Sequence, residues 1–342
     1  MEWQAWCILH SFPFLIMSLL HIGIDVSKAR LSIAARSLRG EKLFSVNNTP
    51  AGIRALTQKY STSDCRFILE STGRFHILPA YLLSQKGYDV RVVNPLAAKR
   101  YIQASIRKRK TDPADASALA HMGAVDQKLP TPFAQGKREI RIRNMMGLLS
   151  SLERQIQSLN RMLGSYAEFQ EQLALQQSPA EKGLIDATRT LRLQKEHLAQ
   201  EIQDLILEDE RSKKCVELAC TIPGISPLTS SLLCHLLDQQ CAHPKQWIAF
   251  VGFDIAERAS GTWTGRGKLS KRGNAYLRKR LFSAAWGAVM NDASFRAYYD
   301  SLKEKGHSHR EALVIIARKQ LRILFSVLKN HTPFSSNECR FS

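Results

Sequence analysis

The chain has little of what would put it in an oxidising compartment or a membrane. Its seven cysteines, Cys7, Cys65, Cys215, Cys220, Cys234, Cys241 and Cys339, are odd in number and contain no CxxC pair, which argues for reduced thiols and against a disulfide framework. Cys234, His235, Cys241 and His243 are close in sequence, but their spacing fits no standard zinc pattern. The opening MEWQAWCILHSFPFLIMSLL is apolar, yet it lacks a basic n-region and a small-residue cleavage site and is broken by His10, Ser11 and Pro13. Neither a signal peptide nor a membrane span is expected from it. Residues 1–18 read as an upstream extension or a mis-assigned start, with Met17 a natural beginning. Negative charge is scarce too. Asp plus Glu number 30 against 49 Lys plus Arg, a formal charge of +19, and that imbalance implies a polyanionic partner.

The basic residues are clustered. Lys99, Arg100, Arg107, Lys108, Arg109 and Lys110 form one group. Arg258 to Arg280 holds eight basic residues and no acidic one, among them Arg266, Lys268, Lys271, Arg272 and Arg278. A charge run is often only a solvated face, but both of these adjoin candidate chemistry.

That chemistry is carboxylate chemistry. Asp25 falls at the end of the apolar run Leu19 to Val26, Glu70 ends the run Phe67 to Leu69, and Asp112 and Asp115 open a helical segment in RKRKTDPADASALA. The first two read as strand carboxylates, and the second pair, three apart, shares a helix face. Alone, Asp112 and Asp115 are more simply a helix cap and a first-turn acid. GIDVSK by itself resembles the first phosphate loop of actin-like ATPases, but no second glycine-rich loop follows before the helical region. The four acids together suit hard divalent cations, Mg²⁺ or Mn²⁺, which need several shared oxygen ligands.

Patterning from Leu20 to Val93 gives a βββαβαβα order, with helices starting near Thr49 and Phe75. The expected fold class is α/β plus all-α, with a ribonuclease-H-like domain at 19–130. Ile142, Met145, Leu149, Leu152, Ile156, Leu159 and Leu163 then step by 3 and 4, a heptad seam. Residues 131–212 read as a coiled-coil region serving a homo-oligomer, with an internal hairpin as the simpler alternative. Residues 213–330 read as a mainly helical domain and 331–342 as a tail. In it, TIPGISPLTSSLL suits a helix-hairpin-helix whose turn amides hold a phosphate, and Ala259 to Asn274, with four glycines and no helical period, reads as a loop.

The acidic tetrad, IPGISPLTSSLL and SGTWTGRGKLSKRGNAYLRKRL together resemble the DEDD transposases of bacterial insertion sequences guided by an element-encoded bridge RNA, a group that includes the pilin-gene invertase. The resemblance spans about Leu20 to Lys329. It implies a RuvC-like domain with catalytic, metal-binding Asp25, Glu70, Asp112 and Asp115, a coiled-coil connection, and a transposase domain with a nucleophilic serine at Ser260, or failing that Ser270. It also implies double-stranded DNA and a guide RNA as partners, Mg²⁺ or Mn²⁺ as cofactor, no membrane, and a bacterial cytoplasmic location at the nucleoid. A metal-only junction resolvase and a non-enzymatic DNA-binding regulator are the alternatives.

Overall fold

The structure is a computed structural model, and it describes residues 19–71, 73–104, 111–126, 128–237, 241–260 and 263–336. The chain divides into two compact units, residues 1–140 and 141–342.

In the first unit, strands β1 (Leu20–Val26), β2 (Arg30–Ser37) and β3 (Gly40–Asn47) form an antiparallel meander. Helix α1 (Pro50–Thr57) follows, started by the Thr49 hydroxyl, which accepts from Gly52 N–H, and by Pro50 in the first turn. Then come β4 (Cys65–Glu70), α2 (Ile77–Gln85), β5 (Asp89–Val93), α3 (Pro95–Ala104) and α4 (Asp112–Val125). The sheet order is β3-β2-β1-β4-β5, with β1, β4 and β5 parallel. This is a ribonuclease-H-like sheet, and its βββαβαβα order is the one expected.

Strand period two separates the two faces. Ile22, Ile24, Val26, Leu31, Ile33, Phe67 and Leu69 are buried with Ile53, Leu56, Ala80 and Leu83 of α1 and α2. The other face carries small residues. Ala34 is buried with Ala116 and Ala120 of α4, and a Cβ on Gly23 would collide with Ala116 O and Ala120 N. The run DASALA therefore lays the α4 backbone directly on β1.

The second unit is helical apart from one hairpin. Its long helices are α5 (Lys137–Gln172), which starts in the first unit, and α6 (Pro179–Leu207), opened by a Ser178–Glu181 capping box. Arg192 donates to Asn160 at 2.6 Å and Gln170 to Glu181, so the two helices run antiparallel as a hairpin within the chain. Beyond them lie α7 (Glu210–Cys220), α8 (Pro227–Leu236), α9 (Pro244–Val251), β6 (Ile255–Ser260), β7 (Trp263–Leu269), α10 (Ala275–Asn291), α11 (Ala293–Glu304) and α12 (His309–Asn330). One core joins Ile142, Leu149 and Ile202 to Leu233, Val251, Leu281, Phe295 and Leu324. Among the described residues, no helix is long and apolar enough to cross a membrane.

The stretch Ala259 to Asn274 corrects the loop expectation. β6 and β7 pair antiparallel from Ile255↔Leu269 to Ser260↔Trp263. A search for helical period misses a two-stranded ribbon, whose second strand alternates Gly265 and Gly267 with Thr264, Arg266 and Lys268.

Candidate active site: an acidic cluster where the sheet reverses

Asp25 and Glu70 reach one site through strand register. β1 and β4 pair from Leu20↔Cys65 to Ile24↔Leu69, so Asp25 and Glu70 come next along two neighbouring parallel strands. Asp25 shares the α4 face with Gly23, and Glu70 shares it with Ile68, which is buried against Leu119 and Met122 of α4. β1 is also where the strand order reverses, the place at which open α/β sheets bind ligands beyond the strands' carboxyl ends.

Helix α4 brings the other two acids. Its N-cap is Thr111, which makes no side-chain cap bond, and Pro113 sits in the first turn with Asp112 and Asp115. Neither aspartate is the cap, so the simpler capping account fails for Asp112. Ala116 and Ala120 rest on Gly23, and Asp112 and Asp115 therefore lie one turn toward the N-terminus, beside Asp25.

The electrostatics follow. Burial pushes the Asp25 carboxyl up to about 6, and the negative charges of Asp112, Asp115 and Glu70 push in the same direction, while the Val26 backbone N–H opposes them. Four carboxylates in each other's field at a sheet's carboxyl end make a fitting seat for a divalent cation. Among the described residues no three of these side chains already form a ligand cage, so they are neighbours in each other's field rather than a closed shell. The donor set, all hard oxygen, fits Mg²⁺ or Mn²⁺.

The remaining candidates divide. Lys99 and Arg100 are exposed on α3, whereas Arg107, Lys108, Arg109 and Lys110 lie outside the described residues. Ser260 ends β6 opposite Trp263, and Arg266 is in β7; the side chains of both lie outside the described residues. Lys268, Lys271 and Arg272 are exposed. Arg278 instead donates to Val251 O at 2.8 Å, which makes it a brace of the hairpin's base. Ser270 donates to Asp254 and accepts from Arg272 N–H at 3.3 Å, so its hydroxyl is already engaged. In the IPGIS turn, Ile222 N–H bonds to Ala219 O of α7, Ile225 N–H to Ile222 O, and Gly224 lies against α10.

Reading the sequence missed Asp254 and Asn48. Asp254 had no motif around it. Asn48 had a signal in NNTP, a polar residue just before a capped helix start.

Two family models match the chain. One, described as a transposase of the DEDD type of IS110, matches residues 22–166, and the other, the transposase IS116/IS110/IS902 family, matches residues 216–300. Together they cover about two-thirds of the sequence. The chain belongs to the IS110/IS116 family of transposases. This transposase is 26% identical over 330 residues to the pilin gene-inverting protein of Moraxella bovis, covering 93% of the chain and 98% of that protein. It is 24% identical over 349 residues to a probable family 20 transposase of Pseudomonas aeruginosa, covering 93% and 99%. Among solved structures, Thermus thermophilus RuvC aligns with 34% of the chain and all of its own at 13% identity, with a TM-score of 0.27, too low to bear on the argument. The first family match contains all four acids and the second contains Ser260 and Ser270. The family acts on DNA, which agrees with the charge of +19.

Proposed function

We propose that this transposase cuts and rejoins DNA at specific sites by phosphoryl transfer, with Asp25, Glu70, Asp112 and Asp115 holding Mg²⁺ or Mn²⁺ and Ser260 as nucleophile. The observation that carries the reading is the crowding of Asp112, Asp115 and Glu70 around Asp25. Bound there, a divalent cation would neutralise charge developing on the transferring phosphoryl group. Ser260 rests on the resemblance of its Ser-Gly context. Its oxygen would bond to the scissile phosphorus as a bridging phosphorus–oxygen bond breaks. The serine proton would leave to a base, and the departing strand's oxygen would take one up. Attack by a strand hydroxyl on that phosphoserine ester would reverse the step and rejoin DNA.

The finer parts of the proposal are an element-encoded guide RNA as a second partner, nucleic-acid contacts by Lys99, Arg100, Arg107, Lys108, Arg109, Lys110, Arg266, Lys268, Lys271, Arg272 and Arg278, and a homo-oligomer. The last is supported by the apolar tip of the α5–α6 hairpin, where Met162, Tyr166, Phe169, Leu173 and Leu184 are exposed. The proposed division of labour is an acidic RuvC-like domain at 19–130, a coiled-coil connection at 131–212 and a transposase domain at 213–330.

A DNA substrate nicked near the crossover tests the covalent step, because loss of the released strand prevents reversal. The wild type should leave protein on a DNA end, Ser260→Ala should leave none while still binding DNA, and Asp25→Asn should do the same. An adduct mapped to Ser270 would move the nucleophile, and strand cutting by Ser260→Ala with no adduct would assign the attack to water.

A further inference from the structure

The β1–β4 ladder stops one residue short of the acids. Its last pair is Ile24↔Leu69, after which Asp25 pairs with Ser32 of β2 and Glu70 with Val93 of β5. Each acid therefore pairs with the strand on its outer side, and no ladder pair joins the two acids to each other. Beyond the end of a parallel ladder the space opens for a ligand, and the loops that flank it are held by further restraints.

Asn48 supplies one. Its side-chain amide donates to Ser27 O at 3.0 Å, two residues past Asp25, and to Phe75 O at 3.2 Å, five past Glu70. Its backbone N–H donates to Ala29 O at 2.9 Å. The turn it grips is itself closed, since Ser27 N–H and the Ser27 hydroxyl both donate to Arg30 O, at 3.0 and 2.8 Å. The loop on the other side runs into α2, where Ala80 N–H bonds to His76 O. Asn48 is fixed in turn by the chain around it: Thr49 N–H bonds to Asn47 O at 2.8 Å, and Thr49 caps α1. One amide group thus ties the turn after β1 to the loop after β4. The chemistry fits, because both acceptors are carbonyls and a neutral –NH₂ has two protons to give them.

We infer that Asn48 is a positioning residue, which clasps the open ends of β1 and β4 and so sets the separation of Asp25 and Glu70 for a divalent cation. The inference rests on the reading of the acids as metal ligands. It places Asn48 outside the ligand set, acting through backbone that the ligands share, as outer groups around metal sites do.

The test is Mn²⁺ binding by the full-length protein, followed through loss of the free-ion electron paramagnetic resonance signal, with DNA affinity measured separately in the absence of metal. Asn48→Ala should weaken Mn²⁺ binding by about 10–100-fold, and Asn48→Ser, which can donate only once, should fall between it and the wild type. DNA affinity without metal should stay within about twofold in both, since neither changes a charge. A latch that only supports the fold would lower thermal stability and leave the Mn²⁺ curve alone, and that result overturns the inference. Where Asn48→Ala does not fold, Asn48→Ser decides in the same way. Asp25→Asn is the reference. If it binds Mn²⁺ like the wild type, the acidic-site reading fails and the inference goes with it; if it loses Mn²⁺ while Asn48→Ala and Asn48→Ser keep it, the inference alone fails.

Discussion

Each unit has a glycine pressed against an alanine pair four residues apart on a helix. Gly23 lies on Ala116 and Ala120 of α4, and Gly224 lies on Ala284 and Ala288 of α10. The contacts are alike, but what surrounds them differs. Around Gly224 the neighbouring polar side chain is uncharged: Gln320 is buried and donates to Pro223 O at 2.9 Å and to Ala284 O at 3.2 Å. Beside Gly23 the same close approach gathers four carboxylates, and the Asp25 acid is pushed up to about 6. Backbone-to-backbone contact therefore serves an uncharged scaffold in one unit and a charge cluster in the other. Like charges crowded together cost stability, and such crowding persists where function requires it.

The largest expected effect breaks the cluster chemically while easing it physically. Asp25→Asn should reduce strand cutting by at least about 10³-fold, the scale of several kcal/mol of lost charge stabilisation. At pH 8 without metal, the same change should slow amide hydrogen exchange in β1. Faster exchange in β1 of the variant would mean that Asp25 stabilises the fold and is not a site of stored repulsion.

Next come the two glycines. Gly23→Ala forces a Cβ into the α4 backbone, and overpacking of this kind costs about 1–3 kcal/mol. Gly224→Ala meets the same obstruction on α10 and also a backbone φ of +78°, so it should cost more. Gly23→Ala should raise exchange in α4 and abolish cutting, whereas Gly224→Ala should raise exchange in α7, α8 and α10. Equal losses from the two would show that the φ at Gly224 adds nothing.

The same contrast explains what could be read from the sequence. Asp25, Glu70, Asp112 and Asp115 stood out because each ends an apolar run or opens a helix, patterns local enough to see. Their convergence needs the Ile24↔Leu69 register and the Gly23 seat, and neither is a local property. Asn48 acts across 21 and 27 residues, so nothing near it in sequence names its partners. The β6–β7 hairpin was misread because glycines at 261, 265, 267 and 273 look like loop when only helical period is sought. Composition likewise gives no sign that Arg278, among the basic residues of its run, also bonds to Val251 O.

A smaller effect concerns the α5–α6 hairpin. Ile142 and Leu149 are fully buried near the base of α5, while Leu152, Leu159 and Leu163 are only half-covered and Tyr166 and Phe169 are exposed. Coverage by α6 thus declines toward the tip. Replacing Leu152, Ile156 and Leu159 with polar residues should lower the mass seen by light scattering and abolish recombination, with exchange in β1 to β5 unchanged. An unchanged mass would mean that the seam serves the internal hairpin alone.

The smallest effect, and the most direct probe of the charge cluster, is its pH dependence without metal. The folded Asp25 carboxyl holds its proton up to about 6, against an ordinary value of 3.8. An acid whose folded value is raised binds its proton more tightly in the folded chain than in the unfolded one. Its favourable contribution is therefore complete below about 3.8 and is lost as pH rises through about 6. That displacement corresponds to about 3 kcal/mol unscreened and, for a carboxyl still partly open to solvent, nearer about 1 kcal/mol. Other carboxylates titrate over the same range, so the quantity to measure is the difference between wild type and Asp25→Asn. Protection of β1 in the wild type should fall relative to the variant between about pH 4 and pH 7, by about fivefold for 1 kcal/mol. Added Mg²⁺ should restore it at pH 7 in the wild type alone, because a bound cation turns the mutual repulsion of the four acids into shared attraction. A difference flat in pH would remove the repulsion, and with it the main physical reason for placing a cation there.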